Sequence, residues 1–376
     1  MTLEFLTYDL KLIHTWAVSR SVAVGGRTVA PTVLVRLADK AVVGLGEAPT
    51  SLRYSQSVDS MLEFLRGVDP GRLSFDDIPA SMNYLEKLAP GCVSAKCALN
   101  VALVDGAAHK AGKAVYDYFG LGFTEKKHIS SYSIGIDTPE MVRCKVVEAA
   151  AYPVLKLKIG AAGEKENLAV LREVAPTRTV RVDANEGWTT KEEALRNLEW
   201  LARDKHIEFV EQPMPSSTPV QDMAWLKSRS PLPLFADESC QTVRDIPECA
   251  QCFHGVNVKL LKTSGLTGAH ETLQAARKAG LKTMIGCMIE SSILITAAAH
   301  LAELTDHLDL DGNLLISNDP IAGATAESGV VSFANATEKI GLRVKSRKAD
   351  LFAGQKVSKG EGFVIETSAL YGIYGE

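Results

Sequence analysis

Three acidic residues close three apolar runs of this chain: Asp183 ends Thr179–Asp183, Glu211 ends Glu208–Glu211, and Asp237 ends Leu234–Asp237. A carboxylate buried at the end of a strand is costly unless it has a partner. Three on consecutive strands would repel one another unless a cation sat between them. Oxygen-only ligation, with no His or Cys inside these runs, suits Mg²⁺, with Mn²⁺ as the alternative, and not zinc. Separate salt bridges to helix-borne Lys or Arg would satisfy each acid singly. The even spacing of all three favours a shared metal site at Asp183, Glu211 and Asp237.

Lysines flank the acids along the chain. In Pro153–Gly160 a strand period of two sends Val154, Lys156 and Lys158 to one face and Leu155, Leu157 and Ile159 to the other. The two ammonium groups then stand about 7 Å apart, two strand rises along. A solvated edge strand would also read this way. The next run after the acids, however, ends in another lysine, Lys259. In an eight-stranded barrel the strands carrying Lys158 and Lys259 lie on opposite sides, so the amines face each other across the metal site. A substrate carboxylate held there would have its α-carbon flanked by two potential bases. A cation would place charge where the enediolate develops once the α-proton leaves. Lys156 is the electrostatic neighbour of Lys158.

The elements that must position these residues repeat. Strand candidates are 128–136, 154–159, 180–183, 209–211, 234–237, 256–260, 283–287 and 307–311, with seven helical stretches between them. The anchors Lys158, Asp183, Glu211, Asp237, Lys259, Ile285 and Asp309 follow at steps of 25, 28, 26, 22, 26 and 24 residues. Such a repeat implies parallel strands joined by crossover helices, and eight of them close into a barrel with its active site at the strand C-termini. An open doubly wound sheet is the competing architecture.

Upstream, residues 1–50 hold three strand-like runs, and 57–67, 75–88 and 94–112 are helical by apolar spacing. The third helix is apolar almost all round and should be buried. Residues 1–123 therefore form an α+β module. Ser19–Arg27 is a loop carrying two arginines, either solvent-facing or a substrate lid. After 312 the chain is rich in Gly and Ser, with strand-like 330–334, 341–344 and 362–367, and should return to the N-terminal module. The expected division is 1–123 cap, 124–325 barrel and 326–376 returning segment.

Composition excludes several functions. The 376 residues are 46% hydrophobic and 23% charged, with a formal net charge of −4, which gives no footprint for nucleic acid. No apolar run reaches membrane-spanning length and no signal-peptide pattern opens the chain, so neither membrane nor secretion is indicated and the cytoplasm is expected. Seven scattered cysteines make a poor disulfide framework. Cys249 and Cys252 form a lone CxxC, read as two helix-borne thiols. Gly44–Pro49 is not a nucleotide-binding GxGxxG, since its sixth residue is proline.

The chain resembles the enolase superfamily, muconate-lactonizing subgroup, over essentially its whole length. The resemblance rests on Lys156-Leu157-Lys158, Val182–Trp188, Val210-Glu211-Gln212-Pro213, Ala236-Asp237-Glu238-Ser239 and Asn257–Lys262. Gly44–Ala48 and Ser94-Ala95-Lys96 are similar to that family's capping-domain signatures. It implies a (β/α)7β modified TIM barrel with an N-terminal α+β capping domain completed by the C-terminal segment. It also implies one Mg²⁺ on Asp183, Glu211 and Asp237, with Lys158 and Lys259 as the acid–base pair.

Within that subgroup, Leu308–Gly312 looks like the Asp-x-Asp motif with which dipeptide epimerases hold the substrate's N-terminal amine. Period two puts Asp309 and Asp311 on one face, a receptor for an ammonium group. Gly286–Ser291, with Met288 as a substrate contact, looks like the seventh-strand motif of the same enzymes. Arg20 aligns with an arginine that, together with the first lysine of the pair (here Lys156), holds a glutamate side chain. Ala23–Arg27 lengthens the Arg20 loop relative to the family pattern. The resemblance thus implies a dipeptide epimerase that inverts the C-terminal residue's α-carbon, on L-Ala-D/L-Glu or a related L-Ala-L-Xaa. The alternatives are an o-succinylbenzoate synthase or N-acylamino acid racemase, which would not need Asp309 and Asp311, and a catalytically silent barrel that binds. A homo-oligomer is compatible with all of them.

Overall fold

The computed structural model describes residues 1–349 and 351–352. It opens with a three-stranded antiparallel sheet of β1 (Thr2–Trp16), β2 (Arg27–Asp39) and β3 (Val42–Pro49), in that spatial order. Three helices cover it: α1 (Val58–Gly67), α2 (Ile78–Leu88) and α3 (Val93–Lys110). Each of the first two starts where its cap dictates. The Ser57 side chain accepts the Ser60 amide, and the Asp77 side chain accepts the Ala80 amide just after Pro79. The second cap puts the helix start at Ile78 rather than 75. As its composition predicts, α3 is buried continuously from Ser94 to Ala108. It lies so close to β3 that a Cβ on Gly46 would sit 1.9 Å from the Ala98 carbonyl oxygen. A short helix, α4 (Val115–Tyr118), leads out of the cap.

The barrel strands are β4 (Tyr132–Ile134), β5 (Val154–Lys158), β6 (Thr179–Asp183), β7 (Ile207–Glu211), β8 (Leu234–Ala236), β9 (Gly255–Lys259), β10 (Lys282–Gly286) and β11 (His307–Asp309). Each pairs in parallel with the next. The ring closes through a parallel bridge between Ser130 and Leu308, with the Ser131 amide donating to the Leu308 carbonyl at 3.1 Å. Closure distinguishes the barrel from the open sheet. Seven helices fill the crossovers: α5 (Pro139–Glu148), α6 (Glu164–Val174), α7 (Lys191–Leu201), α8 (Val220–Arg229), α9 (Ile246–Cys252), α10 (Leu266–Lys278) and α11 (Ser292–Ala299). Cys249 and Cys252 sit on α9, and both are free thiols.

Past β11 the chain touches both parts. The Ile13 amide donates to Leu315 and the Ser317 amide to Lys11, so the return to β1 begins upstream of residue 326. Further on, the Leu342 amide donates to Asp105 of α3 at 2.7 Å, and the Val331 amide donates to His128 beside the barrel. Two of the expected strands do not form. Residues 330–334 make only single bridges, and 341–344 is broken by left-handed backbone at Gly341 and Arg343, φ 64° and 62°. The pairing found instead joins β12 (Ile321–Ala322) to β13 (Lys345–Ser346). The third expected strand, 362–367, lies outside the described residues.

Candidate active site

Parallel register brings the strand ends to one rim. Lys158 pairs with Asp183, and Asp183 with Glu211. Oxygens of Asp183, Glu211 and Asp237 lie within 4.8 Å of one another, and all three residues are buried. Lys158 donates to Asp183 Oδ2 at 2.6 Å, and Lys259 to Asp237 Oδ2 at 2.8 Å. The lysines thus hold different acids of one cluster.

The charges do not cancel evenly. Burial would raise Asp183, but Lys158 and Lys156 outweigh it and hold the carboxyl at about 2. Asp237 is likewise held well below the carboxylate range, against burial, by Lys259 and Lys262. Glu211 goes the other way: burial and then the charge of Asp183 push it up to about 7. Its Oε1 accepts from Asn257 at 2.7 Å, whereas its Oε2 is buried with no aligned hydrogen bond, although Lys156 Nζ stands 2.7 Å away. An under-satisfied oxygen in an all-oxygen set whose atoms lie within 4.8 Å of one another fits a divalent hard cation such as Mg²⁺, whose octahedral oxygen shell spans about 4.2 Å. Room for Asn257 comes from Gly286 on the neighbouring strand, where a Cβ would lie 2.6 Å from the amide oxygen.

Lys156, expected as the electrostatic neighbour of Lys158 and as a substrate side-chain anchor, faces the acids in this structure. It is 1% exposed and enclosed by Asp309 Oδ2 at 2.6 Å, Glu211 Oε2 at 2.7 Å and Asp183 Oδ2 at 3.1 Å. Burial opposes its charge, yet Asp309, Glu211 and Asp183 hold the ammonium well above its ordinary value. Asp309 and Asp311 share the rim near β4 and are both buried, but they are not an open pair. Asp309 holds Lys156 and accepts from Ser131 Oγ at 2.7 Å. Asp311 accepts the Ser133 amide at 2.6 Å, and burial plus the charge of Asp309 push it up to about 6. Met288 is half-buried in the turn after β10, its amide donating to Glu290 at 3.0 Å. Arg20 is engaged by acids, Glu238 at 2.8 Å and Glu186 at 3.0 Å.

Four neighbours were not named as site residues from the sequence, although Gln212, Glu238 and Lys262 lie in the motifs that carry the resemblance. Lys262 donates to Asp237 Oδ1, to the Asp237 carbonyl and to the Asn257 carbonyl, at 2.7, 2.6 and 2.9 Å. Gln212 braces the Asp237 amide through its side-chain oxygen at 2.9 Å, from left-handed backbone at φ 37°. The Trp16 ring centroid lies 6.0 Å from Lys158 Nζ. Glu238 lines the cluster beside Asn185. Only Lys262, three residues after Lys259, left a readable spacing.

The N-terminal domain model of the mandelate racemase and muconate lactonizing enzymes matches residues 11–120, and the enolase C-terminal domain-like model matches 140–330. An L-Ala-D/L-amino acid epimerase of Pedosphaera parvula is 59% identical over 92% of this chain and 100% of its own length. An L-Ala-D/L-Glu epimerase of Bacteroides thetaiotaomicron is 37% identical over 88% of this chain and 85% of its own. Among solved structures, a dipeptide epimerase of Cytophaga hutchinsonii complexed with Mg and D-Ala-L-Val superposes with a TM-score of 0.85 at 26% identity, covering 95% of this chain and 98% of that one. With a closed eight-stranded barrel, an antiparallel cap and matches running through both, the chain belongs to the mandelate racemase and muconate lactonizing branch of the enolase superfamily.

Proposed function

We propose that this chain is a Mg²⁺-dependent dipeptide epimerase that inverts the α-carbon of the C-terminal residue of L-Ala-D/L-Glu or a related L-Ala-L-Xaa. Lys158 and Lys259 are its acid–base pair. The observation that carries the reading is their attachment to different acids, Asp183 and Asp237, of one buried cluster. Names of relatives across 92% and 88% of the chain point the same way.

Asp183, Glu211 and Asp237 would hold one cation per subunit, Mg²⁺ or Mn²⁺, which when bound supplies positive charge at the substrate carboxylate as the α-proton leaves. The protein supplies the rest. One lysine, neutral at that moment, takes the α-proton from one face, and the other, as an ammonium, returns a proton to the opposite face. Burial disfavours the Lys259 ammonium, but Asp237 outweighs it and holds the charge, the state required of the donor. Asp309 and Asp311 would receive the dipeptide's N-terminal ammonium, exchanging part of the Lys156 contact for it. Met288, Lys156 and Arg20 would contact the rest of the dipeptide.

Deuterium uptake tests the reading. A dipeptide library incubated in deuterated solvent with Mg²⁺ should exchange the C-terminal residue's α-proton and invert that centre. Exchange with acylated amino acids but with no dipeptide would overturn it.

A further inference from the structure

Glu186, in the loop after β6, follows Asn185 through two consecutive left-handed residues, φ 44° and 67°. Non-glycine residues hold that geometry only where their surroundings impose it. Here the surroundings come from three other loops. Arg53, after β3, donates Nε to Glu186 Oε2 and Nη2 to Oε1, both at 2.9 Å, a bidentate pair. The Ser216 amide, after β7, donates to Oε1 at 2.8 Å, and Arg53 Nη2 also reaches Ser216 Oγ at 2.7 Å. Arg20, between β1 and β2, donates to Oε2 at 3.0 Å. Ser19 Oγ and Arg20 Nη1 add bonds to the Asn185 carbonyl at 2.9 and 3.2 Å.

The first cap loop starts over the lysine–acid cluster, and the second meets the barrel rim at Glu186 and Ser216. Trp16, at the root of the first, lies over Lys158. Tyr54, in the second, has its phenol raised by burial and by the nearby charge of Asp237. The side chain of Glu186 is 10% exposed, and none of its contacts is to a lysine of the cluster.

We infer that Glu186 is a positioning residue, a clasp whose single carboxylate fastens the loops carrying Arg20 and Arg53 to the barrel rim and so closes the cap over the site. The clasp stands apart from the dipeptide reading; only its kinetic consequence rests on that reading.

Limited trypsin digestion of the full chain reads the clasp without reference to activity, because Arg20 is a cleavage point within the first loop and Arg27 stands at its end, where β2 begins. In Glu186→Gln, cleavage there should accelerate about tenfold, as expected when the open population of a two-state loop grows by that factor. Arg53→Gln, altered at a side chain one-third exposed, should accelerate it too, and Arg53→Lys should fall between Gln and wild type. If Glu186→Gln does not fold, the Arg53 pair decides. For a dipeptide turned over by wild type, KM should rise about tenfold with kcat within about twofold, the signature of lost binding rather than lost chemistry. Cleavage at the wild-type rate in the folded variants, or a fall in kcat at unchanged KM, overturns the clasp. Absence of any dipeptide turnover by wild type overturns the functional reading instead and leaves cleavage to judge the clasp.

Discussion

A lysine that still carries its proton is an acid, and one that has surrendered it is a base; a two-base epimerase needs one of each at the same moment, on opposite faces of one carbon. Lys158 on Asp183 and Lys259 on Asp237 supply two such sites. Lys158→Ala should therefore abolish epimerisation, by about 10³-fold or more, while leaving α-proton exchange with one diastereomer. Lys259→Ala should leave exchange with the other, and exchange of both diastereomers by either variant would sink the assignment. Asp309 and Asp311 yield a separate expectation: with both changed to Asn, a dipeptide should lose binding while an N-acylated amino acid does not. That Lys158, Asp183, Glu211, Asp237 and Lys259 come to one rim was legible from type and spacing, because their apolar runs repeat; the part proposed for Asp309 and Asp311 drew on the resemblance as well. What spacing could not convey is who holds whom. Nothing local reveals that Lys156 turns inward onto three carboxylates or that Lys262 closes on Asp237. Those contacts join strands that are distant in sequence.

At the scale of elements, β3 ties the cap to the barrel through a buried carboxylate. Glu47 of β3 is fully buried and accepts the Ser291 amide and hydroxyl at the start of α11, along with the Thr32 hydroxyl. Burial outweighs these donors and pushes its carboxyl from 4.5 up to about 7. A carboxyl with a folded pKa above its unfolded one binds its proton more tightly in the fold. Its contribution is whole below the unfolded value and is lost as pH climbs through 7. Urea titrations at pH 5 and pH 8 should show wild type losing roughly 2–3 kcal/mol more than Glu47→Gln over that interval; equal losses would contradict the linkage. The same strand predicts a steric cost. Gly46→Ala would drive a Cβ into the α3 backbone at Ala98, where no side chain can yield, and should destabilise by about 2–3 kcal/mol in the same assay. Apolar patterns were readable in β1–β11, as partial alternation in β1 and as runs buried nearly throughout in barrel strands such as β9. They misled at 330–334 and 341–344, where apolar residues enter the core from irregular backbone and the pattern records burial without pairing.

For the molecule as a whole, the repeat of about 25 residues implied parallel strands joined by crossover helices, and the Ser130–Leu308 bridge that closes the ring decides for a barrel over an open sheet. The tail was legible only in outline, because its contacts with β1, α3 and the barrel rim are single hydrogen bonds without periodicity. Barrel closure also concentrates charge: parallel register places Asp183, Glu211 and Asp237 at one rim whatever the rest of the chain does, and Glu211 is left short of partners. A cation bound there would stabilise the folded chain and not the unfolded one, so folding and metal binding are linked. At a hundredfold excess over Kd the gain is about 2.7 kcal/mol, which for a chain of this size raises Tm by roughly 3 °C. Adding Mg²⁺ should therefore shift the thermal transition upward in proportion to the logarithm of its concentration, and chelation should reverse the shift. In Asp237→Asn, which keeps the shape and removes one charge, the Mg²⁺ dependence should weaken by an order of magnitude or more in concentration, while Asp319→Asn, a half-buried acid that holds Ser292 away from the cluster, should leave it unchanged. A transition temperature indifferent to Mg²⁺ in wild type would mean that the four lysines around the acids, and not a metal, are the charge this rim was built to hold.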